Sequence, residues 1–134
     1  MATRSKFKKE RRDPGRFIQV PLSVLDSVAY KTLSAHEVKL LWDIAAQYAG
    51  MNNGRLLAGW KYMHESRGWK SPDTLNKALV ALIDRSLIFR TRQGRMPNLS
   101  SWYACCWWPL DHDEEMDVGP QSLPRGDYTR WHPE

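Results

Sequence analysis

Apolar positions recur along the chain in two periods, and their order predicts a run of helices closed by a β-hairpin. In 34–49, Val38, Leu41, Trp42, Ala45, Tyr48 and Ala49 return at helical spacing. Ser34 followed by Glu37 forms an S-x-x-E capping box, in which each side chain satisfies a free backbone N–H of the first turn, and Gly50 supplies the stop. This segment is expected to be the central core helix. Leu75, Ala78, Leu79, Leu82 and Ile83 make a second inward stripe over a helix at 71–85. Ser71 is its N-cap and Pro72 its first residue, where a missing N–H costs nothing. A helix at roughly 59–67 precedes it, ending at Gly68, so the middle of the chain reads helix, tight turn, helix.

The flanks complete the pattern. FIQVP reads as a short strand or extended lead-in, and Pro21 opens a short helix at about 21–29 with Val24, Leu25 and Val28 on one side. Asn52-Asn53-Gly54 is a turn signal, followed by an apolar run compatible with a small strand. LIFRTR and SWYACCWW are β-prone runs separated by a loop containing Gly94, Pro97 and Asn98, which predicts a hairpin. The expected class is α+β, mainly α, in the order helix, small strand, helix, turn, helix, hairpin that defines a winged helix-turn-helix. No internal repeat is present.

Composition and charge divide this plan into parts. A chain of 134 residues with 42% hydrophobic residues supports one domain of ordinary size. Residues 1–16 carry a net +5 without an apolar face and read as a disordered basic arm. Residues 17–110, also net +5, are the expected winged-helix domain, and 111–134, net −5 and rich in Pro and Gly, are expected to be a flexible acidic tail. No apolar stretch is long enough to span a bilayer and no signal-peptide core follows the basic start, so a cytoplasmic protein without membrane contact is expected. Cys105 and Cys106 are adjacent, and neighbouring strand side chains point to opposite faces. A bridge between them would be strained, so one reduced thiol is expected in the core and one at the surface.

The blocks LSAHEVKLLWDIAAQY, NNGRLLAG and WKYMHESRGWKSPDTLNKALVALIDRSLI, with the hairpin at 89–108, resemble winged helix-turn-helix proteins of bacterial plasmids, phages and integrated elements, including the DNA-binding domains of replication initiators. The resemblance covers 17–110. It implies a DNA-binding protein acting in transcription or replication control of a mobile element, with 71–85 as recognition helix and the hairpin as a basic wing. Many such proteins act as dimers on paired half-sites, with the Trp-rich hairpin or the helix near 22–30 available as the interface. Winged helices also bind proteins, so the alternative is an adaptor or an inhibitor of a host nucleoprotein system, in the manner of anti-CRISPR proteins.

Under the DNA reading, Thr74, Asn76 and Lys77 offer hydrogen bonds to base edges or phosphate near the start of the recognition helix. The face opposite its leucine stripe is Asp73, Lys77, Val80, Ala81 and Asp84, two acids against one base. Asp73 suits the helix dipole, whereas Asp84 opposes phosphate. Arg90, Arg92 and Arg95 place three guanidinium groups on the hairpin for a minor groove or a phosphate row; the plainer reading is that they keep an exposed edge soluble. Lys61, Arg67 and Lys70 lie on or just after the helix that crosses the backbone in this fold, as phosphate clamps or as ordinary exposed cations. Lys8, Lys9, Arg11 and Arg12 belong to the arm, which can neutralise phosphates by counterion release or simply solubilise the chain.

Trp42 and at least one of the hairpin indoles are expected in the core, and an exposed member of Trp102, Trp107 and Trp108 would anchor a protein partner. The acidic tail is a second partner surface, or a competitor for the protein's own basic arm. Enzymatic activity is not expected: His64-Glu65 begins the H-E-x-x-H zinc pattern, but Gly68 stands where its second His belongs, and no cofactor fingerprint is present. Asp111, His112, Asp113, Glu114 and Glu115 read as solvated charge rather than a cation site.

Overall fold

The computed structural model describes residues 12–134, a mixed α+β arrangement of five α-helices, a two-stranded hairpin and a short 3-10 helix. The helices are α1 (Leu22–Leu25), α2 (Val28–Lys31), α3 (Ala35–Ala45), α4 (Trp60–Arg67) and α5 (Pro72–Asp84); the strands are β1 (Ile88–Arg92) and β2 (Trp102–Cys105). Among the described residues, no helix is long and apolar enough to cross a membrane.

The single helix expected at 21–29 is split. Ser27 accepts the Tyr30 N–H on its own hydroxyl at 3.2 Å, and this local bond ends α1 and starts α2 as a fresh N-cap. The capping box of α3 forms as the sequence predicts. Ser34 Oγ accepts the Glu37 N–H at 3.3 Å, and the Glu37 carboxylate accepts the Ser34 N–H at 3.0 Å. α3 is shorter than its apolar stripe, because Gln47 beyond its end binds another segment. The Gln47 amide accepts the Leu57 N–H at 2.8 Å and donates to the Leu57 carbonyl at 2.7 Å. The neighbouring Leu56 pairs with Tyr103, N–H to carbonyl in both directions, at 3.0 and 2.9 Å. The expected small strand is therefore reduced to a single bridge beside β2.

α4 stops at Gly68, whose φ of +77° is a conformation other residues enter only with strain, and α5 restarts on Ser71, whose hydroxyl accepts the Thr74 N–H at 3.2 Å. α5 buries Leu75, Ala78, Leu79 and Leu82 and packs mainly against α3. The hairpin pairs Ile88 with Cys105, Phe89 with Ala104, Arg90 with Tyr103 and Arg92 with Trp102, so Thr91 is a bulge. Directly opposed residues share a face of the hairpin, and Tyr103 and Trp102 are neighbours on opposite faces. The bulge therefore sends Arg90 and Arg92 to opposite sides, although their i, i+2 spacing alone would have put them together.

The core is closed by a chain of rings. Trp42 meets Tyr30 at 5.9 Å and Trp107 at 6.0 Å between centroids, Trp107 meets Trp108 at 5.1 Å, and Trp108 stacks on Tyr48 at 4.0 Å. Trp107 and Trp108 are both buried, so of the three indoles weighed as an exposed partner anchor only Trp102 keeps part of its surface open. Trp102 is half-buried beneath the Arg92 guanidinium.

The segment 111–134 also departs from expectation: the flexible acidic tail is a packed part of the same body. The Asp111 N–H donates to the Asn53 carbonyl at 2.8 Å, Asp117 N–H to Thr91 at 2.8 Å and Gly126 N–H to Cys106 at 3.1 Å. Met116 and Tyr128 are buried, the 3-10 helix Asp127–Arg130 lies against α1 and α2, and Trp131 sits under the Arg85 guanidinium at 4.3 Å. These apolar residues dock one at a time, so no period in the sequence announced them. The same segment covers Cys106, so the thiol expected at the surface is buried along with Cys105, and both are unbridged. Burial, with the nearby Asp127 carboxylate, pushes Cys106 from its ordinary 9.0 up to about 12.

Because the folded state holds its proton more tightly than the unfolded chain, this group favours folding below pH 9. Its contribution is lost as the pH rises from there towards 12. Both thiols are accordingly expected to resist alkylation at neutral pH until denaturant unfolds the chain. Prompt labelling of Cys106 in the native protein would mean that the C-terminal segment lifts off.

Candidate nucleic-acid interface

The first turn of α4, the side of α5 that carries Leu75, Asn76 and Leu79, and the hairpin loop meet around one groove of about 330 Å³. Trp60, Lys61, Asn76, Ser100, Ser101 and Tyr103 are among the residues lining it. A second hollow of about 460 Å³ continues from Lys61 and Ser100–Ser101 to Arg95 at the hairpin tip. Lys61, Asn76 and Arg95, distant in sequence and on three different elements, thus border one continuous surface. Arg90 adds its charge on the Tyr103 face of the hairpin, with its guanidinium 5.8 Å from the Tyr103 ring and bonded to Gln93 Oε1 at 2.9 Å. Residues 86–110 contain no acidic side chain, and their cations, Arg90, Arg92 and Arg95, all lie on β1 and the loop that follows it.

Other candidates are placed differently. Arg92 is 9% exposed; its Nε and Nη2 donate to the Ser100 carbonyl at 3.1 and 2.8 Å, and its guanidinium carbon lies 3.4 Å from the centre of the Trp102 ring. It braces the loop and does not present its charge outward, which corrects the reading of three equivalent hairpin arginines. Arg67 stays partly exposed while its Nε donates to Asp43 Oδ1 at 2.9 Å. It is therefore already paired and is no free phosphate clamp. Lys77 is exposed and paired with Asp73 at 3.0 Å, an i, i+4 contact of little stabilising value that a stronger anion can displace. Thr74 is half-buried, and Lys70 is exposed in the turn before α5. Arg12 stacks its guanidinium 4.3 Å from the Phe17 ring centre, while Lys8, Lys9 and Arg11 lie outside the described residues.

Two buried polar residues organise this surface, and both were overlooked in the sequence. Asp43 on α3 is 5% exposed and gathers Lys39 Nζ at 2.6 Å, Arg67 Nε at 2.9 Å and the Trp69 indole N–H at 2.8 Å. It fixes the end of α4 and the turn that launches α5. Asn53 is fully buried; its amide donates to the carbonyls of Cys105, Trp108 and Pro109, and its oxygen accepts the Cys105 N–H at 2.8 Å. Asn53 ties the turn after α3 to the end of β2. The signals were present but faint. Lys39 and Asp43 stand at i, i+4 spacing, and Asp43 is an acid between Trp42 and Ile44 on a core helix.

His64 has a structural role, stacking on Trp60 at 4.5 Å and donating from Nδ1 to the Trp69 carbonyl at 2.6 Å. Asp111 accepts the Asn53 N–H at 2.9 Å and Asp113 pairs with Arg55, so these two acids help hold the C-terminal segment, while Glu114 and Glu115 are exposed. Among the described residues, no group of three His, Cys, Asp or Glu side chains is placed to hold a metal ion.

Compared with models of known families, with curated proteins and with solved structures, the chain matches none.

Proposed function

We infer that the chain is a winged-helix protein that binds duplex DNA and acts in transcription or replication control of a mobile element. In this reading α5 is the recognition helix, the hairpin is the wing, and Lys61, Asn76, Arg90 and Arg95 are the contacting residues, with Lys70 and Lys77 at the margin. The observation that carries it is that two hollows adjoin at Lys61 and Ser100–Ser101, one bordered by Asn76 and the other by Arg95, beside a hairpin whose own sequence holds no acid. Cations on separate rigid elements suit a phosphate row, and an amide between them suits a base edge.

The test begins with sheared DNA from the protein's own source at about 0.15 M salt, where loose electrostatic binding is screened. Enrichment of a few sites is the expected result. On such a site, the Lys61→Ala, Arg95→Ala double variant should bind more weakly and lose about 0.9 from the slope of log affinity against log salt for each phosphate contact removed. An unchanged slope would remove these two residues from the interface.

A second reading, a protein-binding winged helix, is favoured by one observation: Val80 is 58% exposed on the outward side of α5, between the Asp73–Lys77 pair and Asp84. An apolar residue among acids suits a protein surface better than phosphate. Leu22 at 70% and Val28 at 38% exposure leave the α1–α2 surface open as a dimer contact. Retention of no duplex at all would turn the search to these surfaces.

A further inference from the structure

Resting on the duplex-binding reading, we propose that the hairpin tip, residues 95–99, is an apolar wedge that enters the minor groove, opens a base step and bends the DNA. The tip is closed on itself: Arg95 N–H donates to the Leu99 carbonyl at 2.8 Å and Leu99 N–H to the Arg95 carbonyl at 2.9 Å. The turn between them carries Met96, Pro97 and Asn98 outward, with Met96 93% exposed and Leu99 38% exposed.

The neck behind the tip is built to be stiff. A Cβ on Gly94 would fall 2.5 Å from the Leu99 oxygen and the Ser101 nitrogen, so only glycine lets the two backbones come this close. Gly94 N–H donates to Ser101 Oγ at 2.7 Å, Arg92 holds the Ser100 carbonyl, and Asp117 Oδ2 accepts the Gln93 N–H at 2.7 Å. The last contact ties the neck to the C-terminal segment.

A single exposed methionine is ordinary on a protein surface. The setting of this one is what points to DNA. The apolar tip is narrow, consisting of Met96, Pro97 and Leu99, whereas a partner-binding patch on a protein covers some hundreds of Å². Cations flank it, with Arg95 at its base and Lys61 across the adjoining hollow. A narrow apolar point between cations complements a stack of bases between two rows of phosphate. Met, Leu and Pro are among the side chains that wedge between base steps from the minor groove, and TA and CA/TG steps yield most readily.

Ring closure of a DNA fragment of about 100 bp, shorter than the persistence length of about 150 bp, reads the bend directly. Binding of the full-length protein to the same fragment, carrying central TA steps, is followed in parallel by fluorescence anisotropy. The expected result is that the wild-type protein raises the yield of ligated circles at least tenfold. Met96→Ala should remove most of that gain while still saturating the fragment. Its side chain lies in solvent, so the fold is not at stake, and an unchanged circular dichroism spectrum checks this.

Wild-type protein that binds without promoting circles overturns the wedge and leaves the duplex-binding reading standing. So does a Met96→Ala protein that closes circles as well as wild type. Failure of the wild-type protein to bind any duplex, with or without binding to anionic vesicles or to another protein, overturns both.

Discussion

Asn53→Ala is expected to cost about 3–5 kcal/mol of folding stability, much of what holds together a domain whose total is of order 5–15 kcal/mol. The side chain is fully buried, and its two amide hydrogens are shared among the carbonyls of Cys105, Trp108 and Pro109 at 2.9–3.2 Å. Its oxygen meets the Cys105 N–H at 2.8 Å. Alanine leaves that N–H and those carbonyls without partners in a place water does not reach, and each buried unpaired group costs about 1–3 kcal/mol. Local relaxation recovers part of the sum. Asn53→Asp is expected to be worse, because it sets a carboxylate against three carbonyl oxygens and removes both donors. Denaturant midpoints of the two variants check this. A midpoint for Asn53→Ala within about 1 kcal/mol of wild type would show that the loop after α3 and the end of β2 hold each other by packing alone.

The same residue shows where the sequence stops being legible. Asn52-Asn53-Gly54 announces a turn, and a turn is there. Asn52 meets that expectation, its Oδ1 accepting the Ala49 N–H at 2.7 Å. Nothing in the triplet distinguishes its neighbour, which points inward to serve as a surrogate strand for β2. Gln47 does the same for Leu57, and its polar type hides that role equally well. Periodicity finds elements that bury a whole face, which is why α3, α5 and the hairpin were readable. It does not find contacts made one residue at a time, and the C-terminal segment is held by contacts of that kind, through the buried side chains Met116 and Tyr128, Trp131 under Arg85, and scattered backbone hydrogen bonds to Asn53, Thr91 and Cys106.

The candidate interface was legible in part for a similar reason. Lys61, Asn76 and Arg95 were identified as polar residues on the outward side of elements whose inward side was clear, and they do border one surface. Arg67 and Arg92 satisfied the same criterion and point elsewhere, one toward a buried acid and one across a bulged strand. A bulge shifts the period of a strand by one residue, and LIFRTR carries no glycine or proline to mark it. Counting arginines overstated the charge the hairpin offers; the two that remain outward, Arg90 and Arg95, are backed by Lys61 on α4.

Asp43→Ala is expected to lower stability by about 2–4 kcal/mol and, with it, to loosen the turn from which α5 starts. The carboxylate is the common partner of Lys39, Arg67 and Trp69. Lys39 and Arg67 side chains are 45% and 40% exposed and can recover water, so losing their partner costs little. Trp69 is 4% exposed, and its indole N–H would be left buried and unpaired, which dominates the expected loss. Asp43→Asn keeps an acceptor for the indole and should fall between alanine and wild type. The two variants therefore separate the hydrogen bond from the charge. Arg67 offers a second readout: once released from Asp43 it becomes an unpaired cation at the C-terminal end of α4. In conditions where the Asp43→Asn protein remains folded, its duplex affinity should gain salt dependence while any preference among sites weakens, because the turn that aims Asn76 is less firmly held. If the salt slope and site preference of Asp43→Asn both match wild type, Arg67 and the turn take no part in binding, and Asp43 is a purely structural anchor.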